Sequence, residues 1–162
     1  MPAFSDDMAG SMKAKSRLPA RLAVVALAVW HGLRGRGRRR PPDSPRRILI
    51  AHHLLLGDTL MLTPLLAKLR ERHPAAEIVM ATPAAIAPLY QHRPYGVIAA
   101  PHDPRDPATL KSLFAGPGFD LAVVPGDNRF SWLARALDAR WIVAFAGDRP
   151  AYKSWPVDDL IP

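Results

Sequence analysis

The chain has 162 residues and a formal net charge of +8 at pH 7, from 22 Lys and Arg against 14 Asp and Glu. All of that excess lies in the first 47 residues, which hold eleven basic and three acidic side chains, so eleven of each sign remain from Ile48 onward. This distribution argues against a basic nucleic-acid-binding globule, and we expect a neutral domain behind a cationic leader, with no nucleic acid as partner. The 49% of hydrophobic residues excludes general disorder, and the absence of Cys excludes disulfides, thiolate zinc sites and cysteine nucleophiles.

The leader, residues 1–45, contains an uninterrupted apolar run from Leu22 to Trp30 between two basic segments. This run is far shorter than the roughly 20 residues that span a bilayer, and no small-residue cleavage site of a signal peptide follows it. We therefore expect a short helix that lies on an anionic membrane surface through residues 13–40. The alternatives are a flexible basic tail, a cleaved signal peptide and, more distantly, a nucleic-acid-binding role of residues 34–40. The Pro-rich stretch 41–45 predicts a linker. The side chains expected to contact lipid are Trp30, Arg34, Arg36, Arg38, Arg39 and Arg40.

From Arg47 onward, short apolar runs alternate with segments of helical periodicity. The apolar runs predict five strands, over residues 47–52, 77–81, 96–100, 119–124 and 140–145. Leucines at helical spacing predict a helix from Asp58 to Arg72, and shorter helices are predicted over residues 83–90, 108–115 and 128–137. This alternation predicts an α/β fold, a Rossmann-like parallel sheet with helices on both faces, within residues 46–150.

Three loops that follow predicted strands carry clusters of polar side chains. They are His52–Thr59, Pro125–Arg129 and Ala146–Pro150, and each contains a glycine and a carboxylate. In a parallel sheet these loops meet at the carboxyl edge, where ligands bind. The sequence lacks both GxGxxG after the first strand and GxxxxGK[ST], which argues against dinucleotide and P-loop phosphate sites. Because adjacent residues on a strand point to opposite faces, we expect no metal at His52 and His53, and we assign His53 to the loop or to substrate contact.

The segment RILIAHHLLLGDTLMLTPLLAKLRERHP, from Arg47 to Pro74, resembles the opening of glycosyltransferase family 9, the ADP-heptose:lipopolysaccharide heptosyltransferases. Members of that family begin with a basic-aliphatic strand, a short loop ending in Gly-Asp, and an apolar helix that contains Pro. The segments FDLAVVPGDNR and RWIVAFAG resemble later parts of the same domain, so the likeness covers about residues 46–150. The resemblance implies the N-terminal, acceptor-side domain of a GT-B glycosyltransferase that transfers heptose from ADP-heptose to the lipopolysaccharide inner core with inversion.

The resemblance also implies roles for the polar side chains. Asp58, in the Gly-Asp pair, corresponds to the catalytic base, and the alternative is that it only caps a helix. Gly57 would let the backbone approach the sugar closely. Asn128 and Arg129 would contact an acceptor phosphate or carboxylate, with a surface salt bridge as the alternative. The residues expected to bind substrate are Gly57, Thr59, His53, Asn128 and Arg129.

Members of this family are much longer than 162 residues, and their C-terminal domain supplies most of the nucleotide-sugar site. Residues 151–162 are then interpreted as the start of a connection to an absent C-terminal domain, which leaves the isolated chain inactive. We expect no cofactor, because the nucleotide-sugar donor binds mainly to that absent domain. The expected partners are lipopolysaccharide core or a similar anionic glycolipid acceptor, the membrane surface, and a separate C-terminal half. The expected location is cytoplasmic and peripheral at the inner membrane, and the alternative function is a non-catalytic membrane-associated binding domain or a truncated relic of such an enzyme.

Overall fold

The computed structural model describes residues 18–35, 39–103 and 107–162, which form five α-helices and one six-stranded sheet. The helices are α1 (Leu18–Arg34), α2 (Leu56–Leu60), α3 (Thr63–Arg72), α4 (Pro107–Phe114) and α5 (Phe130–Ala136). The strands are β1 (Arg47–Ala51), β2 (Glu77–Thr82), β3 (Val97–Pro101), β4 (Leu121–Val124), β5 (Trp141–Phe145) and β6 (Asp159–Ile161). Three short 3-10 helices cover Ala87–Tyr90, Pro94–Gly96 and Ala151–Ser154.

All six strands run parallel, in the order β3-β2-β1-β4-β5-β6. The chain builds outward from β1 to β3, returns to place β4 beside β1, and then builds outward on the other side. This reversal makes a topological switch point between β1 and β4. In sheets of this kind the loops after two such strands turn to opposite faces and leave a crevice that binds ligands, and we call the region between these two loops the crevice. The predicted fold class, a Rossmann-like α/β domain, is confirmed.

The central strand β1 is buried on both faces of the sheet. Ile48 and Ile50 pack on one face, together with Leu66 of α3 and Tyr90 of the adjacent 3-10 helix. Leu49 lies in the core of the opposite face, to which α4 and α5 contribute Leu110 and Leu133. Because helices cover both faces, β1 is a continuous apolar run rather than an alternating one.

Several predicted elements differ from the observed ones in extent. The helix predicted from Asp58 to Arg72 is broken into α2 and α3, because Pro64 in the first turn of α3 has no backbone N–H for a continuous helix. Within residues 83–90, predicted as a helix, only the 3-10 helix Ala87–Tyr90 forms. Residues 151–162, predicted as the start of a connection, add the short edge strand β6 beside β5.

Helix α1 lies on the body of the molecule, across the predicted boundary at residue 46. It packs along α5, where Ala28 is buried and Val24 contacts the core of that face. Near its end, His31 Nδ1 lies 3.0 Å from a carboxylate oxygen of Asp138, just beyond the end of α5. Within the described ranges, no helix is both long enough and apolar enough to cross a bilayer.

Candidate active site at the carboxyl edge of the sheet

The loops after β1 and β4 contact each other at the switch point. The ring of His53 stacks on that of Phe130, the first residue of α5, with ring centroids 6.0 Å apart and planes inclined by 14°. Gly126 lies so close to Leu54 that a Cβ at this position would stand 2.8 Å from Leu54 Cδ2. A residue larger than glycine at position 126 would therefore force the Leu54 side chain to shift. These contacts hold one wall of the crevice together.

Asp58 lies in the first turn of α2, on the loop that follows β1, and its side chain is exposed. The prediction that Asp58 occupies the N-cap position is wrong. Leu55 holds that position, and no side chain caps the helix. Among the described residues, none forms a hydrogen bond or ion pair with the Asp58 carboxylate. Its remaining structural role is a favourable charge near the positive end of a very short helix, which is a small effect.

The two neighbours of Asp58 differ from each other. Thr59 is fully buried, and its hydroxyl donates a hydrogen bond of 2.8 Å to the carbonyl oxygen of Leu55. Thr59 therefore stabilises α2 from inside and presents no group to the crevice in this conformation. Gly57 is exposed, and a Cβ built there would meet nothing within 4 Å. The space beside Gly57 is open to a ligand.

Large apolar side chains surround Asp58 on the surface. In the same segment, Leu55 is 77% and Met61 is 78% exposed, and Leu56 and Leu60 are also exposed. Contiguous exposed apolar groups usually mark a surface that binds another molecule or domain. Covering this surface would remove water from the Asp58 carboxylate and strengthen its interactions with a substrate.

The loop after β4 binds its own arginine. Asp127 accepts hydrogen bonds from the backbone N–H of Arg129 at 2.9 Å and from its Nε at 2.7 Å, and Arg129 Nη2 lies 2.5 Å away. Burial raises the pKa of Asp127, but the hydrogen bonds and charge of Arg129, aided by Lys153, outweigh it and hold the pKa below its ordinary value. Of the two predicted roles for Arg129, the structure shows the salt bridge.

Asn128 is fully buried and connects the loop after β4 to the loop after β5. Its side-chain Nδ2 donates to the carbonyl oxygen of Phe145 and to Ser154 Oγ, both at 2.9 Å. Its backbone N–H donates to Asp148 at 2.8 Å, and Lys153 Nζ binds the same carboxylate at 2.9 Å. The hydrogen bond from Lys153, followed by that from Asn128, lowers the pKa of Asp148. Asn128 thus stabilises the carboxyl edge through buried hydrogen bonds, and its side chain does not face the crevice in this conformation.

A group of buried polar side chains at the ends of β1, β2 and β3 was not assigned a role from the sequence. His52, Thr82 and His102 are each at most 3% exposed. Within the described part of the chain, His52 Nε2, Thr82 Oγ1 and His102 Nδ1 have no hydrogen-bond partner. A polar residue at the end of each of these apolar strands, or directly after it, is the sequence signal for this group.

The buried histidines are held in the neutral form. Burial, and to a smaller extent the charge of His53, lowers the pKa of His52 to about 4. Burial and then His53 also lower the pKa of His102 to about 4, although Asp103 opposes this shift. Since His52 Nδ1 accepts a hydrogen bond from the N–H of Leu54 at 3.2 Å, the neutral ring carries its proton on Nε2.

Two pockets lie away from Asp58. A pocket of about 250 Å³ is lined by residues 44–46 and 72–76, at the amino edge of the sheet. A second pocket, of about 180 Å³, lies between the 3-10 helix Ala87–Tyr90 and β3. In the described ranges, no three His, Cys, Asp or Glu side chains are grouped so that they could hold a metal ion.

The residues predicted to contact lipid lie on and after α1. Trp30 is exposed, and the guanidinium carbon of Arg34 lies 5.5 Å from the centroid of its ring. Arg40 is exposed, whereas Arg39 is only 22% exposed and forms an ion pair with Asp158, at 3.3 Å. Arg36 and Arg38 lie outside the described residues.

Comparison with known proteins identifies the fold. No protein-family profile matches the chain, and no curated protein matches it in sequence. Among solved structures, the chain is similar to the crystal structure of a glycosyl transferase family 9 protein from Veillonella parvula DSM 2008, with a TM-score of 0.57 and 19% sequence identity over 72% of this chain. The chain shares the fold of part of that protein. It spans 36% of the length of that glycosyltransferase, and Asp58 lies at the edge of the sheet where folds of this class bind ligands.

Proposed function

We propose that this chain is the acceptor-side domain of an inverting glycosyltransferase, and that Asp58 is its catalytic base. One observation supports this proposal most: an exposed carboxylate without a partner among the described residues follows the first strand of a fold shared with a glycosyltransferase. A carboxylate without a structural partner is available to accept a proton. An aspartate at this position would most simply be explained as a helix N-cap, and Asp58 does not occupy that position.

The proposed reaction is a single displacement. The acceptor hydroxyl oxygen attacks the anomeric carbon of the donor sugar, and its proton passes to the Asp58 carboxylate as the new C–O bond forms. The bond between the anomeric carbon and the diphosphate oxygen breaks at the same time, and the nucleotide diphosphate leaves with that electron pair. Attack from the face opposite the leaving group inverts the anomeric configuration.

The proposed donor is ADP-heptose, and the proposed acceptor is the inner core of lipopolysaccharide or a similar anionic glycolipid. Support for these finer assignments comes from the resemblance of residues 47–74 to the heptosyltransferases. The resemblance to the heptosyltransferases also implies that the donor would bind mainly to a C-terminal half. The exposed apolar residues around Asp58 would then meet that half or the acceptor. In this proposal the isolated chain binds acceptor but does not turn over.

Two side chains are proposed to line the acceptor side of the crevice. His53 is exposed at the loop contact with Phe130 and can donate or accept a hydrogen bond from a sugar hydroxyl. Arg129 is 61% exposed beside Asp127, so part of its guanidinium remains accessible to an acceptor phosphate. The open space beside Gly57 would admit the sugar ring close to the backbone.

Acceptor binding by the chain alone tests the proposal before any second half is identified. The isotope-labelled chain is titrated with deacylated, phosphorylated lipopolysaccharide core oligosaccharide, and amide resonances are followed by NMR. We expect concentration-dependent shifts confined to residues 53–61 and 125–130, and much weaker shifts with a neutral oligosaccharide of the same length. Shifts confined to other surfaces, or equal responses to both sugars, would contradict the acceptor assignment. Addition of a C-terminal half that restores transfer would then establish the reaction.

A further inference from the structure

Helix α1 has two distinct apolar faces. The inner face, with Val24, Ala28 and His31, turns toward α5 and the core. The outer face carries a row of large apolar side chains at intervals of three or four residues, which places them along one side of the helix. We call this row the outer stripe; its members are each at least 42% exposed, and they are Leu18, Leu22, Val25, Val29 and Leu33.

Two polar contacts, one of them an ion pair, fix the direction in which the outer stripe faces. His31 contacts Asp138 at 3.0 Å, and Arg39, five residues beyond the end of α1, contacts Asp158 at 3.3 Å. Asp158 is itself held by the buried Arg135 at 2.5 Å and by the backbone N–H of Ile142 at 2.8 Å. The end of α1 is therefore tied to the sheet, and the outer stripe has a defined orientation relative to the body.

The charged residues that α1 and its flanking segments contribute are all basic. Between residues 8 and 42 the sequence contains nine Lys or Arg and no Asp or Glu. Arg21, Arg34 and Arg40 are exposed. Trp30, exposed beside the outer stripe and close to the guanidinium of Arg34, is the residue type that favours the boundary between water and lipid. A second copy of this helix would bring like charges together, whereas an anionic surface would neutralise them.

We propose that the outer stripe of α1 is a docking surface for an anionic lipid bilayer, on which the helix lies flat. The apolar row would enter the boundary between headgroups and acyl chains, and the flanking arginines would contact lipid phosphates. A helix of 17 residues is about 25 Å long, so docking along its whole length orients the body as well as attaching it. This inference goes beyond the proposed function and does not depend on sugar transfer.

Vesicle cosedimentation tests this surface directly. Binding of the full chain is measured to vesicles of phosphatidylcholine alone and of phosphatidylcholine with phosphatidylglycerol. The test variant is Leu22→Glu/Val29→Glu, in the outer stripe. The matched control is Leu89→Glu/Leu160→Glu, which places the same charges at two comparably exposed leucines elsewhere on the surface.

We expect the full chain to bind the anionic vesicles and to bind the uncharged ones weakly. The stripe variant should bind anionic vesicles more than about tenfold more weakly, because two inserted apolar groups become anions facing anionic lipid. The control should bind normally. Arg21→Gln/Arg34→Gln should lose about fivefold for each cation removed.

Three results would overturn the proposal. The first is equal binding by the stripe variant and the unsubstituted chain, with both folded as judged by circular dichroism. The second is equal loss of binding in the stripe variant and the control. The third is self-association in sedimentation equilibrium that the stripe substitutions abolish while vesicle binding persists, which would assign the surface to a second copy. Because no assay here uses a sugar, failure of this proposal leaves the proposed function untouched.

Discussion

The carboxylates on the two sides of the switch point differ in whether they have a bonding partner. After β4 and β5, the carboxylates of Asp127 and Asp148 are bound by Arg129 and Lys153, and Asn128 joins the two loops. After β1, Asp58 stands exposed without a partner among the described residues. The charges of the first group satisfy one another and set the shape of the edge. The charge of Asp58 contributes little to that shape and is free to act on a ligand.

The difference shows that residue type does not by itself identify a functional side chain. Asp58 and Asp127 both follow a glycine in a loop beyond a buried strand. A carboxylate that already accepts three contacts from Arg129 must lose them before it can serve a substrate, whereas a free carboxylate loses only water. Substitutions on the two sides should therefore affect different quantities, which the following experiments separate.

The largest expected effect is that of Asp58→Asn on sugar transfer, measured once the chain is combined with a C-terminal half. Loss of the base should lower kcat by about 10²- to 10⁴-fold, because the amide cannot accept the proton. The free energy of unfolding should change by less than about 0.5 kcal/mol, because no contact is lost. Asp127→Asn is the matched control and should retain most of the turnover.

A kcat of the Asp58→Asn variant within tenfold of that of the unsubstituted protein would contradict the assignment of Asp58 as the base. A large loss of stability in the same variant would show that Asp58 has a structural partner.

The buried histidines predict a loss of stability in mild acid. The pKa of His52 and of His102 is about 4 in the folded chain, against an ordinary value of 6.5. Between these values the unfolded chain binds more protons than the folded chain, so stability falls as the pH falls from about 6.5 to about 4. The full loss is on the order of 3 kcal/mol for each histidine. Urea denaturation at a series of pH values measures it.

The matched variant for this experiment is His52→Gln, which keeps a polar side chain but cannot be protonated. It should show a shallower fall of stability in that pH range, whatever its stability at pH 7. A pH profile identical to that of the unsubstituted chain would show that His52 does not contribute to acid sensitivity.

Next in size is the effect of Asn128→Ala on stability. The substitution removes two side-chain hydrogen bonds and leaves the carbonyl of Phe145 and the hydroxyl of Ser154 without this donor, which costs about 1–3 kcal/mol. The adjacent Arg129→Ala removes only a largely exposed pair and should cost less than about 1 kcal/mol. Thermal unfolding of both variants makes the comparison, and equal losses would contradict the assignment of Asn128 as the connection between the loops.

Five of the six strands and the fold class could be predicted because strands such as β1, β2 and β5 are short apolar runs, and such a signal needs only neighbouring residues. The predicted parallel topology placed Asp58, Asn128 and Arg129 at the carboxyl edge of the sheet, where ligands bind, and this made them candidate site residues. Their different roles could not be predicted, since the partners of Asn128 are 17 to 26 residues away. Pairing over such distances leaves no periodic pattern in the sequence.

The contacts of α1 likewise could not be predicted from the sequence. An apolar run between arginines favours a helix at a surface. The same run supplies both the face that packs on the body and the exposed face, and the sequence does not distinguish the two. The packing of Val24 and Ala28 shows which side of α1 contacts the body, as do the contacts with Asp138 and Asp158, more than 100 residues away. The buried polar group of His52, Thr82 and His102 depends in the same way on the order of the strands.

The last prediction is a small gain in stability, in Gly57→Ala. A methyl group at this helical position meets no atom within 4 Å, and alanine favours a helix over glycine by up to about 1 kcal/mol, so the melting temperature should rise by about 2–4 °C. If the acceptor sugar approaches the backbone here, the same methyl group should weaken its binding in the NMR titration. Gly32→Ala, within α1, is the matched control, because it places a methyl group in a helix far along the chain from the crevice. Normal binding of the core oligosaccharide by a stabilised Gly57→Ala variant would contradict the placement of the sugar beside Gly57. It would not contradict the role of Asp58, which the Asp58→Asn variant tests.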